Sequence, residues 1–518
     1  MKNYIITTAL PYANGNLHIG HFFEAILADI KVRYLKSQNI PCLFISGDDS
    51  HGAATTLYCT KNGLEINAHL LSQYQAHTQS YEKLKIKFDS FSKTNTDLHR
   101  QVVNWCVEQL IAFEEKNNKK LFNIKDVLSW YDAFTEQFLP DRYVVGICPH
   151  CQAEGQHPEI CEACNKRIIP ESLINPINNL TKNKVELKSS KHLLLNTKDF
   201  YKELTNYGHL FHPSIKNKIF DGSLSQQEEI DISRDGPYYG IKIGHPKFKD
   251  LTNQYYYVWF DAPIGYLSFS FELWLKSRAA TKELFLEFCL SVELEHFIGK
   301  DIAYFHSFLW INLLKIIVNK DVAPIKQINF HGWITVDYIK LSKSKGNSFD
   351  LNKLDSTQID ALRLYLFSKH DGSISDNELV ETDIPKIYNQ TIVQNLANFY
   401  ARLTRLLNKE NIYVDLINNS TLEKYKKLLL DTNYKKLYEI LYEDLKELNS
   451  IFQKEELWKA DKERLNEVGS LLLSNWYEIY NVFSIILPSL SEHKESILKG
   501  KFIHLAKNLD AFLLFSNK

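Results

Sequence analysis

The sequence predicts an α/β protein: a parallel sheet of βαβ units, interrupted by a small cysteine-pinned insertion and followed by an all-helical bundle. Three observations carry this. First, a β-prone run from Tyr4 to Ala9 passes through a Pro11, Asn14, Gly15 turn into apolar positions at helical spacing (Ile19, Phe22, Phe23, Ile26, Ile30, Tyr34), and a second strand, Cys42 to Ser46, closes the unit. Second, two C-x2-C hooks, Cys148/Cys151 and Cys161/Cys164, stand close together in mid-chain. Third, from about Ile384 the pattern is helical, with Tyr434, Leu437, Tyr438, Leu441, Leu445, Leu448 and Phe452 on one face, and Val468, Leu471, Leu472, Asn475, Trp476, Ile479, Phe483 and Ile486 on another.

A chain of 518 residues exceeds one ordinary core. We divide it into residues 1–115, the first half of a nucleotide-binding fold; 116–230, the insertion; 231–325, the second half; 326–383, a lysine-rich loop and linker; and 384–518, the helical domain. Lys+Arg 61 against Asp+Glu 62 excludes a strong global field, so any RNA contact must use local basic patches. No apolar run is long enough to span a bilayer, so no membrane partner is expected. The first residues lead straight into strand without a signal segment, and the expected compartment is the cytoplasm.

The helix after the first turn starts at the carboxyl end of a strand, where unpaired N–H groups and the helix dipole favour an anion. His18 and His21 project from its first turn, and Gly20 between them has no side chain to hold a nucleotide ring off the backbone. After the second strand, Asp48 and Asp49 stand where a carboxylate can hold an amine or a ribose hydroxyl, or cap a helix. The polar run Glu114 to Lys120 marks the entrance to the insertion. Its four cysteines suit a tetrahedral Zn2+ that closes a loop too polar to form its own core. Disulfides are disfavoured in a reducing compartment; a rubredoxin-like iron, or His150 or His157 as a fourth ligand, are the alternatives.

Asp231 to Asp235 marks the return to the first fold, and Tyr255 to Tyr266 reads as a buried strand with an aromatic end. Phe297 to Asp301 reads as a strand end and helix start where a ribose can lie, and Phe330 to Thr335 as a strand whose backbone can read adenine. Lys340 to Gly346 is a basic loop able to fold over a triphosphate.

His18-Ile19-Gly20-His21 and Lys340-Leu341-Ser342-Lys343-Ser344 together resemble the two signatures of the class I aminoacyl-tRNA synthetases, with Leu341 where the family normally has Met. Ala9 to Gly15 is similar to the methionine branch of that family, and the resemblance spans nearly the whole chain. It implies a Rossmann-type catalytic domain with an inserted zinc knuckle, one structural Zn2+ on Cys148, Cys151, Cys161 and Cys164, and Mg2+ arriving with ATP. It further implies that His18, His21, Lys340 and Lys343 act on the phosphates, that Gly20, Gly299 and Asp301 contact ATP, and that Asp49 holds the amino group of the substrate. Leu10, Tyr12, Trp259, Ala262, Pro263, Tyr266, Ile302 and His306 would line a methionine pocket, a polarizable thioether being suited by aromatic edges, one hydroxyl and one imidazole.

Asn398, Arg402 and Trp458 match the anticodon-reading positions, with Leu457 where the family usually has Pro; packing into the core is the alternative for Trp458. The implied partners are ATP, L-methionine and tRNA(Met), including the initiator, and a monomer is expected because no C-terminal dimerisation module follows the bundle. Class I enzymes for cysteine, valine, isoleucine or leucine share both signatures but not the Trp259 to Tyr266 segment. A catalytically dead RNA-binding relative is opposed by intact His18, His21, Lys340 and Lys343.

Overall fold

The computed structural model describes residues 3–140, 143–158, 161, 163–164, 166, 168–211, 213–219, 228–336, 339–340, 351–416, 423–498 and 509. Its centre is an all-parallel sheet of five strands: β1 (Asn3–Thr8), β2 (Leu43–Asp48), β3 (Ser90–Lys93), β4 (Val292–Gly299) and β5 (Ile325–His331). They lie in the order β5-β4-β1-β2-β3. The chain runs outward from β1 on one side and returns on the other, so the topological switch falls between β1 and β4. Ligands of open parallel sheets bind in the crevice beyond the carboxyl ends at that point. Here it receives Leu10 from β1 and Gly299 from β4.

Side chains alternate across the sheet, as the two-residue period of a strand requires. Ile6 packs in the layer of α1 (Ile19–Ser37), whereas Ile5 and Ile45 pack with α3 (Asp97–Asn117) and α4 (Gly265–Leu275); α2 (Ile66–Lys83) lies between β2 and β3 in the chain. The helix α1 is buried on nearly every side, between the sheet and the C-terminal bundle. Its buried charges are therefore all paired, as burial demands. Glu24 accepts from the Ala9 N–H (2.7 Å) and contacts His331. Asp29 takes Arg33 and the fully buried Arg363, the latter on α5 (Ser356–Lys369). Lys31 stands 3.3 Å from Glu295 and donates to the Leu430 carbonyl at 2.6 Å.

The insertion is a four-stranded antiparallel sheet in the spatial order Gln137–Leu139, Phe122–Asp132, Glu186–Asn196, Glu229–Asp231, beside a ribbon of Val144–Ile147 with Ile174–Asn178. His192 joins this sheet to the returning chain: Nδ1 meets Asp231 at 2.7 Å and Nε2 meets Asp235 at 2.8 Å. Burial pulls the imidazole pKa down, but the two carboxylates outweigh it and raise it to about 9. A raised histidine stabilises the fold fully below its unfolded value near 6.5 and loses that contribution as pH climbs through about 9. We expect His192→Gln to flatten the fall in urea midpoint between roughly pH 6.5 and 9, a term of about 3 kcal/mol in the parent.

One predicted element is corrected. Tyr255 to Tyr266 is not a strand: Gln254–Tyr256 is extended, but Val258–Asp261 and Ala262–Ile264 are helical turns leading into α4. A continuous apolar run cannot distinguish buried strand from buried helix by period alone. The bundle contains α6 (Asn398–Lys409), α7 (Tyr434–Lys454) and α8 (Ser470–Ile486). The predicted face of α7 is buried except for half-buried Tyr438, while Leu471, 60% exposed, and Asn475 point away from the core. Among the described residues no helix is long and apolar enough to cross a membrane.

Candidate active site

The turn between β1 and α1 brings the two histidines into one box. His18 is the N-cap, and its Nδ1 accepts from the Gly20 N–H at 3.2 Å; His21 Nδ1 accepts from the His18 N–H at 3.1 Å. With both Nδ1 atoms accepting, a neutral ring at either position carries its proton on Nε2. The rings lie 3.8 Å apart at 31°. A Cβ on residue 20 would meet the His18 ring at 3.0 Å, so the glycine first makes room for that imidazole.

Asp49 follows β2 and is pinned to the turn by reciprocal backbone bonds, Asp49 N to Pro11 O and Ala13 N to Asp49 O, both 2.9 Å. Its carboxyl is buried and accepts from the His51 N–H at 3.3 Å. Burial first, then the Asp261 charge, hold its pKa well above the carboxylate range. Such a group is stabilised by an arriving cation.

The pocket beside it is aromatic and neutral. Trp259 stacks on Phe305 at 4.2 Å and 9°, and meets Tyr12 edge-on at 6.3 Å. The backbone at Gly265 lies close enough to Leu10 that a Cβ there would stand 2.9 Å from Leu10 Cδ1, next to Ala262 and Pro263 in the preceding turn. His306 Nδ1 donates to the Ile302 carbonyl (3.2 Å), and burial drops the ring to about 4, so it is neutral. Its Nε2 then accepts from the Tyr266 hydroxyl at 2.8 Å. Behind them Trp310 donates to His296 Nε2 (3.1 Å), leaving His296 Nδ1–H for Thr7 Oγ1 at 2.6 Å.

Phe305 and His296 were not singled out from the sequence. The signal for His296 was Glu295-His296, adjacent polar residues in the buried middle of a strand.

At the other lip, a Cβ on Gly299 would strike Asp301 Oδ1 at 2.6 Å, so the glycine lets that carboxylate fold back over the strand end. His331, at the end of β5, uses both ring nitrogens, Nε2 to Glu24 (2.9 Å) and Nδ1 to the Gly332 carbonyl (2.8 Å). Burial lowers its pKa, but Glu24 wins and raises it. Through Glu24 the carboxyl ends of β1 and β5 are thus tied to α1. Lys340 lies in the short strand Ile339–Lys340; Lys343, with Leu341, lies outside the described residues.

Away from the crevice, the four cysteine Sγ atoms lie within 4.8 Å of one another. Backbone N–H groups of His150 and Cys164 point at Cys148 and Cys161 sulfur, both 3.4 Å. Four sulfurs so gathered, with amides aimed at two of them, fit a tetrathiolate metal site. His157 is engaged elsewhere, with the Val144 carbonyl at 2.8 Å.

In the bundle, Asn398 is exposed in the first turn of α6, and Arg402 one turn on donates to Asn449 Oδ1 (2.5 Å). The Arg402 guanidinium lies 4.9 Å over the Phe452 ring, itself 5.9 Å from Trp458. Trp458 is 45% exposed, which excludes the core-packing alternative, while Leu457 beside it is buried. Half-buried Asn449 and buried Phe452 support this surface and were missed as partners, because they come from α7.

Known proteins resemble this chain in sequence and in fold. A family model described as tRNA synthetases class I (M) matches residues 4–404. The methionine--tRNA ligase of Buchnera aphidicola subsp. Schizaphis graminum is 32% identical over 522 residues, 96% of this chain and 92% of that protein. That of Blochmanniella floridana is 30% identical, covering 96% and 93%. A Mycobacterium tuberculosis methionyl-tRNA synthetase solved in complex with methionyl-adenylate shares the fold at a TM-score of 0.72 and 20% identity, over 95% of this chain and 93% of that one. The parallel sheet with its helical C-terminal region, the family match and these relatives together mean that the chain belongs to the methionine type of the class I tRNA synthetases.

Proposed function

We propose that this chain activates methionine with ATP to methionyl adenylate and pyrophosphate, then esterifies the 3′-terminal ribose of tRNA(Met), at the 2′-hydroxyl. The observation that carries the amino-acid assignment is the neutral Tyr266–His306 pair in a pocket with the stacked Trp259 and Phe305, together with a buried carboxyl, Asp49, that burial and the Asp261 charge hold above the carboxylate range. The α-ammonium goes to Asp49, and the thioether lies among Leu10, Tyr12, Trp259, Ala262, Pro263, Tyr266, Ile302 and His306. Because the only proton of the Tyr266 hydroxyl faces His306 in the free pocket, a sulfur that accepts from it does so in exchange for that bond.

ATP occupies the crevice, its ribose at Gly299 and Asp301 and its phosphates at Gly20, His18 and His21. In the first step the methionine carboxylate attacks the α-phosphorus; the Nε2–H donors of His18 and His21 follow charge onto the phosphoryl oxygens, and Lys340 and Lys343 neutralise departing pyrophosphate. Mg2+ accompanies ATP as charge compensation. Positioning and neutralisation are the whole chemistry, since no side-chain nucleophile is needed.

Residues 1–115 and 231–325 make the two halves of the catalytic fold, 116–230 the insertion, 326–383 the loop and linker, and 384–518 the anticodon-binding part. The protein works as a cytoplasmic monomer on both elongator and initiator tRNA. ATP–pyrophosphate exchange with each of the twenty amino acids tests the first step: methionine alone should support it, and exchange with a different one overturns the pocket.

Zn2+ on Cys148, Cys151, Cys161 and Cys164 is structural, all four positions being filled by protein. Chelation under reducing conditions should release one zinc per chain and abolish amide protection in the Val144–Ile147 ribbon while β1 and β4 keep theirs, read by hydrogen exchange.

Asn398, Arg402 and Trp458 read the anticodon by base-edge bonds and stacking. Trp458→Ala should remove about 1–3 kcal/mol of tRNA binding, roughly five- to 150-fold in KM for tRNA, with exchange unchanged.

A further inference from the structure

The amine site contains a second carboxylate that the chemistry above leaves unused. Asp261 is fully buried; its Oδ2 accepts from His51 Nδ1 at 2.7 Å and stands 3.5 Å from His99 Nε2, while its Oδ1 has no hydrogen-bond partner. His51 carries both carboxyl groups, its backbone N–H on Asp49 and its ring on Asp261. His99 is fixed in turn by Ser268 Oγ of α4 at 2.8 Å. A carboxylate buried with one oxygen unmet is expensive to keep, and an apolar residue would pack here at less cost.

We propose that Asp261 is a positioning residue for the α-ammonium of the substrate: a second fixed negative charge, anchored by His51 and His99 behind Asp49, that makes this end of the pocket take a cationic amine and refuse a neutral group of similar size. This rests on the reading of Asp49 as the amine-binding residue. Burial alone would raise the Asp261 pKa, but the two imidazoles hold it below the carboxylate range. Around Asp49 stand Asp48, whose Oδ1 is engaged by His77, together with His51, Asp261, His99, and the hydroxyls of Tyr238, Tyr239 and Tyr266. Among the described residues the cation of this neighbourhood is Arg234, which acts on the Tyr238 hydroxyl. The ammonium therefore meets two carboxyl groups and displaces the proton of the nearer one.

The test uses two alcohols that differ only in the amine, L-methioninol and 4-(methylsulfanyl)butan-1-ol, titrated across pH by calorimetry into the zinc-replete full chain and its variants. Asp261→Asn should weaken methioninol about tenfold near neutrality, as loss of one nearby charge predicts, and leave the neutral alcohol unchanged. It should also move the acid limb of methioninol binding to lower pH, because Asp49 loses its like-charged neighbour. Equal weakening of both alcohols, or an unmoved limb, would mean a packing role only and overturn the proposal.

Should Asp261→Asn not fold, His99→Gln should loosen the hold on Asp261 and make methioninol affinity fall away at higher pH than in the parent; an unaltered profile overturns it as well. Asp49→Asn separates the two readings. If it binds methioninol like the parent, the amine assignment of Asp49 itself fails; if it loses methioninol while Asp261→Asn does not, only the role of Asp261 fails.

Discussion

His21→Gln loses two to three orders of magnitude of methionine-dependent ATP–pyrophosphate exchange while its urea midpoint stays close to that of the parent. Two roles meet at this residue, and their sizes differ. His21 Nδ1 caps α1 by accepting the His18 N–H, a contribution of about 1 kcal/mol. Its Nε2–H faces away from the cap, and one preorganised donor to developing charge is worth about 10²–10³ in rate. Glutamine is a natural residue at the third position of a capping box, so it keeps the helix start and removes the imidazole. His21→Ala should lose both, showing the same collapse in exchange plus a lowered midpoint. Near-normal exchange in the glutamine variant would move the phosphate chemistry elsewhere.

Arg363→Ala should destabilise the protein by about 3–5 kcal/mol, the largest effect on stability we expect from one side chain, read as a shift in urea midpoint at constant slope. The guanidinium is wholly buried and donates to three segments: Asp29 on α1 (2.5 Å), the Leu84 carbonyl after α2 (3.1 Å) and the Ile486 carbonyl at the end of α8 (2.9 Å). Alanine leaves two carbonyls and a carboxylate without this donor in the interior. Arg363→Met combined with Asp29→Leu should recover much of the loss, because an apolar pair needs no solvation. If the double variant is no better than Arg363→Ala, the carbonyl bonds rather than the ion pair dominate.

What could be seen in the sequence was what is chemically local. The β1 turn, the His18 and His21 pair at the helix start and the cysteine hooks each fit within about twenty residues, so short stretches of chain bring their atoms together; that the histidines also cap the helix is seen only in the fold. Asp261 and Arg363 escaped notice because their meaning lies in partners such as His51 and Ile486, brought near only by the tertiary fold. Tyr255 to Tyr266 was misassigned for a related reason: Tyr256 and Val258 favour strand, yet Pro263 fits the start of a helical turn, and the surroundings decided the conflict. Leu471 has helical spacing with its neighbours, but its side of α8 faces outward.

The position of β1 has a consequence for the timing of synthesis. One edge finds its partner early, in β2, but the other pairs with β4, with Thr7 and His296 bonded across 289 residues of sequence. At about 5–20 residues per second, a ribosome needs roughly 15–60 s to supply that partner. Throughout that interval the innermost strand of the finished enzyme is an open edge, and the insertion is made before it closes. Nascent chains stalled before β4 should therefore be the form most prone to intermolecular strand pairing, and those stalled after β5 has emerged should not.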